Sequence, residues 1–263
     1  MVLQIAPGKD AIHDGSDHQT TAASTGHEIS PSSTNDALNW YVPKSWNGTD
    51  VSGYQKATVS RQLEGGYTLE GDPKTYYAYT MAEYTLYTIN QTGEADVYLD
   101  NSSSNGPVVV TASEGASKDW FDKIKGSLRV GLLINDELKV VYAPVLPIGK
   151  GNDVSATEGW SCVSPDNLSV TMAPSYAHVS GDNMVDQNGK NWGATGNGDS
   201  YVKPTGTAQM LAHVGYNGTN FKVVIWMEGT DNDCQNMSGL DVGEGSPTFD
   251  VTVSLVGIVP DSK

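Results

Sequence analysis

The stretch Lys222–Asn236, KVVIWMEGTDNDCQN, constrains the fold more than any other part of this sequence. Its apolar part, Val223–Trp226, is a β-branched and aromatic run, and such runs are typical of strands that pack in a pleated sheet. An acidic turn that holds Glu228, Asp231 and Asp233 follows at once and leads into a cysteine. The pattern therefore predicts a strand that runs directly into a turn rich in carboxylates.

A second strand is predicted near the C-terminus, over Thr248–Val259, where apolar and polar side chains alternate. Alternation with a period of two indicates a strand with one buried face. Similar patterns predict further strands in the following segments: Tyr76–Ile89, Ala95–Leu99, Val108–Ala112, Ser127–Asn135 and Leu138–Pro144. Turn signals predict hairpins that close at Asn90–Gly93, at Asp136–Glu137 and at Tyr216–Thr219, the last through its Asn-Gly pair.

The best helix signal lies in Ser117–Lys125. Ser117 belongs to the residue types that cap a first helical turn, and Asp119 and Lys123 complement the two ends of the helix dipole. Gly126 then ends the helix. This is the one short helix that we predict for the chain.

Many short strands, turn-rich links and a single short helix predict an all-β fold, an antiparallel β-sandwich. We divide the chain into an N-terminal arm, residues 1–30, and one domain, residues 31–263. A segment rich in Gly, Asn, Asp and Ser, at about residues 145–200, is predicted to be an insertion in that domain.

The chain is acidic, with 31 Asp and Glu against 15 Lys and Arg and a net charge of −16. Because phosphate binding depends on clusters of Lys and Arg, we predict no nucleic-acid partner. No apolar run reaches about 18 residues, so we also predict no membrane span. Such a surface fits an extracellular protein, or a protein that takes up divalent cations.

The N-terminal arm begins with a short apolar strand candidate, Met1–Ile5, and continues into a polar tract, Gly8–Glu28. Tracts of this composition are typical of linkers. A terminal apolar strand can enter an open sheet of a neighbouring subunit, which is an established mode of assembly. The alternative is an arm that folds back on its own domain.

Three segments of the chain resemble one protein family. The strand, the turn WMEGTDNDC and the alternating C-terminal strand resemble the C-terminal end of camelysin/TasA-like proteins. The segment ISPSSTNDALNW, residues 29–40, is similar to the opening of the family's domain, and SLRVGLLI followed by KVVYAP also looks like that family. These are exported bacterial proteins that build biofilm-matrix fibres on a jelly-roll domain.

The resemblance implies a secreted, jelly-roll structural protein at the cell surface. Its partners would be copies of itself in a head-to-tail homopolymer that grows by donor-strand exchange. The donor strand would present Met1, Val2, Leu3 and Ile5 to the next subunit. Camelysin itself is described as a protease, but this chain has no recognisable protease motif, so that activity is not carried over.

Two further sites are predicted with alternatives. Glu228, Asp231 and Asp233 can supply oxygen ligands for Ca²⁺ beside a glycine, while the alternative is a solvated loop whose Asp side chains bond its own backbone. No other cofactor is expected. Cys162 and Cys234 can form one disulfide if the protein is exported, while the alternative is two unpaired buried thiols.

The sequence holds no HExxH, GxSxG, P-loop, GxGxxG or EF-hand motif. We therefore predict that the protein is not an enzyme and assign no catalytic residue. Two other classes stay open. One is a monomeric carbohydrate-binding module that stacks Trp46, Trp160 or Trp192 on sugar rings. The other is a secreted hydrolase, whose carboxylate pair no spacing singles out.

Overall fold

The computed structural model describes residues 3–11, 20, 27–44, 53–59, 65–102, 105–145, 161–172, 176–180, 183–186, 188–194, 208–235 and 248–260. Within these ranges the chain is built mainly of strands, so the predicted all-β fold is confirmed. The sheets pack face to face in a sandwich-like arrangement. The finer assignment to a jelly roll stays a prediction.

The described residues form twenty strands and two short helices. The strands are β1 (Leu3–Pro7), β2 (Pro31–Ser32), β3 (Trp40–Pro43), β4 (Tyr54–Ala57), β5 (Gly66–Leu69), β6 (Asp72–Tyr77), β7 (Thr80–Thr88), β8 (Glu94–Asp100), β9 (Val108–Ala112), β10 (Leu128–Ile134), β11 (Glu137–Tyr142), β12 (Ser161–Val163), β13 (Val170–Met172), β14 (Tyr176–Ser180), β15 (Asn183–Asp186), β16 (Gly193–Ala194), β17 (Ala212–Gly215), β18 (Thr219–Glu228), β19 (Phe249–Val253) and β20 (Leu255–Ile258). The helices are α1 (Lys118–Ile124) and α2 (Asn232–Gln235).

The largest sheet holds eight of these strands, in the order β1-β7-β18-β10-β11-β14-β15, with β2 paired to the end of β18. Most neighbouring strands run antiparallel, whereas β11–β14 and β2–β18 are parallel pairs. The strand predicted at Val223–Trp226 is β18 and lies between β7 and β10, so that prediction is confirmed. This central position places the acidic turn at one end of the largest sheet.

Strand β18 is buried on both faces. Phe221 and Val223 contact one hydrophobic core, whereas Val224 and Trp226 contact a second core on the opposite side of the sheet. Successive side chains of a strand point to opposite faces, so each face of β18 is apolar. A short continuous apolar run is the sequence pattern of a strand in this position.

A smaller sheet covers one face of the largest sheet. In it β8 pairs with β20 along one side and with β17 and β16 along the other. The strands β9 and β19 form a separate two-stranded sheet. The side chains between the two sheets form the larger core, which includes Leu86, Ala95, Val97, Leu99, Val108, Val130, Leu132, Phe221 and Val223. This core is the interior of the sandwich.

The opposite face of the largest sheet is covered by the hairpins β3–β4 and β5–β6 and by β12. Trp226 belongs to this second core and meets Trp40 edge-on, with ring centroids 5.6 Å apart. Gly131 leaves room for the indole, since a Cβ atom at that position would lie 3.0 Å from the Trp226 ring. The second core therefore depends on one close approach of a side chain to the β10 backbone.

Two of the predicted hairpins are corners between sheets. The turn at Asn90–Gly93 joins β7 to β8, and the turn at Tyr216–Thr219 joins β17 to β18. However, β7 pairs with β18, and β8 pairs with β17. Both hairpin predictions are wrong because a turn signal marks a change of direction and carries no information about the strand partner. The hairpin at Asp136–Glu137 is confirmed, since β10 pairs with β11.

Two long predicted strands are each divided in the structure. The segment Tyr76–Ile89 forms the end of β6 and all of β7, with Ala78 between them fully buried. The segment Thr248–Val259 forms β19 and β20, separated at Ser254. Each half pairs with a different strand, because β19 joins β9 whereas β20 joins β8. The period-two pattern continues across both breaks and so conceals them.

The predicted helix is confirmed as α1. Its cap is Ser117, whose hydroxyl accepts a hydrogen bond from the Trp120 N–H at 3.4 Å. The single turn of α2 forms the last part of the acidic turn, since it includes Asp233, and it was not predicted. No helix in the described ranges has the length and the apolar character needed to cross a membrane.

The turn-rich segment at about residues 145–200 adds strands to the sandwich where it is described. In that segment β14 pairs with β11, β15 pairs with β14, and β12 contributes Cys162 to the second core. The strands β12, β14 and β15 are therefore part of the packed domain. Its Tyr176 side chain also reaches a buried charged cluster at the end of β18.

Candidate functional site

The N-terminal strand β1 forms one edge of the largest sheet. In the described part of the chain its strand partner is β7, in an antiparallel register that sets Leu3 opposite Thr88 and Pro7 opposite Tyr84. An edge strand has one row of backbone groups that a second chain can reach. The apolar start of the arm thus lies where strand addition or exchange can act.

Both faces of β1 are covered although it is an edge strand. Leu3 and Ile5 pack against the larger core between the sheets. Gln4 and Ala6, which point to the other face, are also buried, with Ala6 fully inaccessible to solvent. The strand therefore completes the sandwich at this edge, and its removal would uncover the core beside Leu86.

The chain that follows β1 crosses the outer face of the sheet. The Gly8 N–H donates to the Glu83 carbonyl at 2.8 Å, and the Ala11 N–H donates to Thr85 Oγ1 at 3.0 Å. The Asp10 N–H then donates to the Asn220 side chain on β18 at 3.1 Å. This crossing is therefore held mainly by polar contacts of the backbone.

The structure places two of the four predicted donor residues in the sandwich edge. Leu3 and Ile5 belong to β1, while Met1 and Val2 lie outside the described residues. In the single chain the strand fills its own sheet, which is the alternative that the sequence left open. Exchange of β1 with a second copy stays a prediction.

A buried charged cluster lies at the end of β18. Glu228 is fully inaccessible to solvent. Its Oε2 accepts from Trp226 Nε1 at 3.1 Å and from the Tyr176 hydroxyl at 3.3 Å. Its Oε1 accepts from the Thr230 N–H at 3.2 Å and from the Thr230 hydroxyl at 2.9 Å. Four donors saturate an ionised carboxylate, which has about four acceptor positions.

Arg129 on β10 supplies the positive charge of this cluster and is also fully buried. Its Nη2 donates to Asp231 Oδ2 at 2.7 Å, and its Nη1 donates to the carbonyls of Gly126 and Leu128, each at 2.7 Å. The guanidinium lies 5.5 Å from the centre of the Tyr176 ring. Burial alone would lower the Arg129 pKa, but the neighbouring acidic groups, Asp231 first, leave that pKa raised.

The predicted cation site is not formed. Asp231 pairs with Arg129, and its other oxygen accepts from the Asp233 N–H at 2.8 Å. Glu228 points into the core with its acceptor positions occupied, while the Asp233 carboxylate lies against Gly126. No group of three His, Cys, Asp or Glu residues in the described ranges has the arrangement of a metal site. The turn uses its carboxylates to bond the protein itself.

The two cysteines are free thiols in the structure. This is the alternative of two unpaired buried thiols and not the disulfide. Both are buried, in positions close to the charged cluster. Burial raises the Cys162 pKa to about 12, with a smaller contribution from Glu228. Burial also raises the Cys234 pKa, again helped by Glu228. Thiols in this state are poor nucleophiles because the thiolate is scarce near neutral pH.

No family model, curated protein or solved structure matches this chain. The resemblance to camelysin/TasA-like proteins therefore rests on the three sequence segments alone and stays a prediction. The edge strand β1 and the buried charged cluster are the features from which a function can be inferred.

The tryptophan expected to stack on sugar rings is not available for that role. Trp192 is buried in the larger core, and its Nε1 donates to Asp186 at 3.0 Å. Trp46 and Trp160 lie outside the described residues. Of the three tryptophans named for the carbohydrate-binding alternative, the structure describes only Trp192, and Trp192 cannot stack on a sugar.

Sequence reasoning missed the partners that complete the charged cluster. Arg129 is the single charge in the run LRVGLLI, all of which is buried. Charged side chains are almost never fully buried without a partner, so this lone charge was a usable signal of an internal ion pair. Tyr176 carried no comparable signal, since it comes from the turn-rich segment and reaches Glu228 across 52 residues of sequence.

Glu228 is expected to make stability depend on pH. Burial raises its folded pKa above the ordinary value of 4.5, although Arg129 opposes this shift. The folded protein then holds this proton more tightly than the unfolded chain, so Glu228 lowers stability progressively as pH rises from about 4.5 through its folded pKa. In Glu228→Gln, this component of the pH dependence should disappear.

Urea unfolding of both proteins at a series of pH values checks this prediction. The amide of the variant sets a donor against Trp226 or Thr230, which should cost about 1–3 kcal/mol. That deficit should shrink as pH rises through the window, because only the wild type loses stability there. Glu137→Gln, at an exposed position, is the control and should change little. A deficit of Glu228→Gln that is constant with pH would contradict the prediction.

Proposed function

We propose that this chain is a non-enzymatic structural subunit of an extracellular filament, with a jelly-roll domain. Copies join head to tail when β1 of one copy leaves its own sheet and pairs with β7 of the next. The observation that supports this most is the position of β1, a terminal edge strand whose Leu3 and Ile5 complete the core. The sequence resemblance to fibre-forming proteins supports the same proposal.

Exchange of β1 costs little net contact energy because the contacts that break are replaced by identical contacts. The donor strand makes the same backbone pairs with β7 and buries the same side chains whether it comes from the same chain or from a neighbour. The hydrogen bonds and apolar burial that break when a monomer opens therefore form again in the polymer. Protein concentration and the conformational freedom of the arm then decide between the two states.

The arm is long enough to reach a neighbour. The 21 residues Gly8–Glu28 span at most roughly 70 Å when extended. A compact domain of this size is roughly 45 Å across. Each exchanged strand links two different surfaces, one on the donor and one on the acceptor, so the array stays open and grows as a fibre. The polar contacts of Gly8–Ala11 with β7 and β18 must open first.

Strand exchange can be tested with two chains that each carry one engineered cysteine. Pro7→Cys and Tyr84→Cys replace residues that face each other in the β1–β7 register. Facing residues in an antiparallel pair have Cα atoms about 4.5–5.5 Å apart, which suits a disulfide. We expect a mixture of the two variants, one carrying a mass tag, to form a disulfide-linked heterodimer under oxidising assembly conditions.

The native thiols should interfere little, because both are buried. The matched control is Pro7→Cys mixed with Thr75→Cys, whose engineered thiol is exposed on β6 away from β1. Filaments in negative-stain electron micrographs together with the specific heterodimer support the proposal. Filaments without the heterodimer would indicate that strands add outside β1 instead. A uniform monomer at every protein and salt concentration would overturn the filament proposal.

A further inference from the structure

We infer that the groove that holds β1 selects its strand through a hole at Gly257, which receives the side chain of Leu3. This inference deepens the proposed function and, for its role in assembly, rests on it. The partner that fits is a second copy of this chain, which presents a large apolar side chain at this one position of the strand. The glycine would thus set both the register and the identity of the donor strand.

The hole is visible in the packing of two edge strands. β1 is the edge of the largest sheet, and β20 pairs with β8 in the smaller sheet that packs against it. A Cβ atom built on Gly257 would lie 3.0 Å from Leu3 Cβ and 3.1 Å from Leu3 Cδ2. Such separations are closer than ordinary van der Waals contact between carbon atoms. Leu3 therefore occupies the space that a side chain at 257 would need.

The floor of the hole is also small. The same Cβ atom would lie 3.5 Å from the Cβ of Ala95, which is fully buried on β8. Because Gly257 and Ala95 have no large side chain, they leave space on the surface of β20 and β8, and the Leu3 side chain occupies it. The absence of a side chain at 257 follows from this approach, since Gly257 does not have the positive φ that would require glycine.

The hole fixes the register of the strand. Side chains of a strand alternate between faces, so a shift by one residue would place Gln4 over Gly257 and turn Leu3 out of the core. A shift by two residues would bring Ile5, which is β-branched, onto the same small surface. Only the observed register sets Leu3 on Gly257 and keeps Ala6 beside Thr85. A strand from another protein would need this same pattern of sizes.

In an exchanged pair the two residues of this contact come from different subunits, so their effects on donation and on acceptance can be measured separately. Leu3 belongs to the donor strand, whereas Gly257 belongs to the acceptor groove. A side chain at 257 should therefore abolish the ability of a subunit to accept a strand and leave its own β1 free to be donated. A defect in donation would not be expected from this geometry.

The first measurement uses the monomer and does not depend on exchange. Gly257→Val should displace β1 from its own groove, and overpacking of this kind is costly enough for effects of tenfold or more. We expect the amide protons of Gln4 and Ala6, which face β7 in the hydrogen-bonded pairs of this register, to exchange with solvent at least about tenfold faster than in wild type. Leu3→Ala added to Gly257→Val should restore part of the protection, because it removes Cδ2, one of the two Leu3 atoms that meet a side chain at 257, and leaves only the contact with Cβ.

The matched control is Gly215→Val at the end of β17. A Cβ atom there would meet its nearest neighbour, the Gly93 carbonyl, at 3.9 Å, so there is room for it. This variant should leave the protection of β1 unchanged. Intrinsic tryptophan fluorescence, to which the buried Trp40 and Trp226 contribute, reports whether each variant stays folded. Unchanged protection of β1 in a folded Gly257→Val protein would overturn the inference.

The second measurement uses the engineered cysteines in both directions. An acceptor with Tyr84→Cys and Gly257→Val should lose at least about nine-tenths of the heterodimer formed with a Pro7→Cys donor. A donor with Pro7→Cys and Gly257→Val should still link to a Tyr84→Cys acceptor. Equal loss in both directions would overturn the selective hole. If the unmodified pair forms no heterodimer while Gly257→Val still releases β1, the hole stands and the exchange proposal fails.

Discussion

Replacing Arg129 with methionine is expected to lower the free energy of unfolding by about 3–5 kcal/mol. The variant leaves the buried Asp231 carboxylate without its ion pair and two carbonyl groups, of Gly126 and Leu128, without a donor. Methionine fills much of the volume but provides no hydrogen bond. The result can be measured by urea unfolding followed through intrinsic tryptophan fluorescence, which should show a lower midpoint with an unchanged slope.

The expected size rests on burial, so an exposed ion pair is the matched control. Lys139 pairs with Glu137 at 2.6 Å, but the Glu137 side chain is 71% exposed. Lys139→Met should cost about 1 kcal/mol or less. Arg129→Met combined with Asp231→Asn should cost less than the sum of the two single changes, because the two side chains act as one pair. Additive costs would show that Arg129 stabilises the fold through something other than this pair.

Deletion of residues 1–28 is expected to abolish filament growth. It removes β1 and leaves the edge of β7 and the core beside Leu86 uncovered. The loss of the partly buried Leu3 and Ile5 side chains should lower the free energy of unfolding by about 2–4 kcal/mol. We expect a soluble monomer that can accept a donor strand but has none to give. Negative-stain electron microscopy and urea unfolding measure the two effects.

The deletion variant should also terminate filaments that the wild-type chain is building. Added at a small fraction of the wild type, it would take a donor strand at one end and offer none to the next subunit, so mean filament length should fall. A synthetic peptide of residues 1–11 should recover the lost stability, whereas the same peptide with Ile5→Asp should not.

The full-length chain with Leu3→Asp and Ile5→Asp keeps the length of the arm and serves as the control. It should also fail to form filaments, because its arm lacks the apolar side chains of the donor strand. Filaments of normal length built from the deletion variant would overturn strand exchange.

The charged cluster and β1 act on different parts of the molecule. Arg129 and Glu228 join the end of β18 to β10 and, through Tyr176, to β14. β1 closes the opposite edge of the sheet, beyond β7. An intact cluster should therefore hold β18, β10 and β14 together if β1 leaves the sheet, as the exchange proposal requires. Variants of the cluster should change stability, and variants of Leu3 or Gly257 should change assembly.

Local patterns predicted those elements whose identity depends on neighbouring residues alone. The strands β8, β9, β10, β11 and β18 and the helix α1 all lie where alternation, apolar runs or a capping residue placed them. The hairpin of β10 and β11 was also predicted, because its two strands are adjacent in sequence. The acidic turn was found as a feature with two roles left open, and in the structure its carboxylates bond the protein itself. Its carboxylates meet partners that no local pattern contains.

Only the tertiary structure decided which strands pair and which side chains meet. Arg129 and Asp231 are 102 residues apart in sequence, and Leu3 meets Gly257 across almost the whole chain. A period-two pattern reports that one face of a strand is buried, and it is silent about the surface that covers that face. The sequence by itself therefore determined an all-β chain with an apolar N-terminal strand. The corners between sheets, the buried ion pair and the hole for Leu3 arise from contacts that exist only when distant strands are packed together.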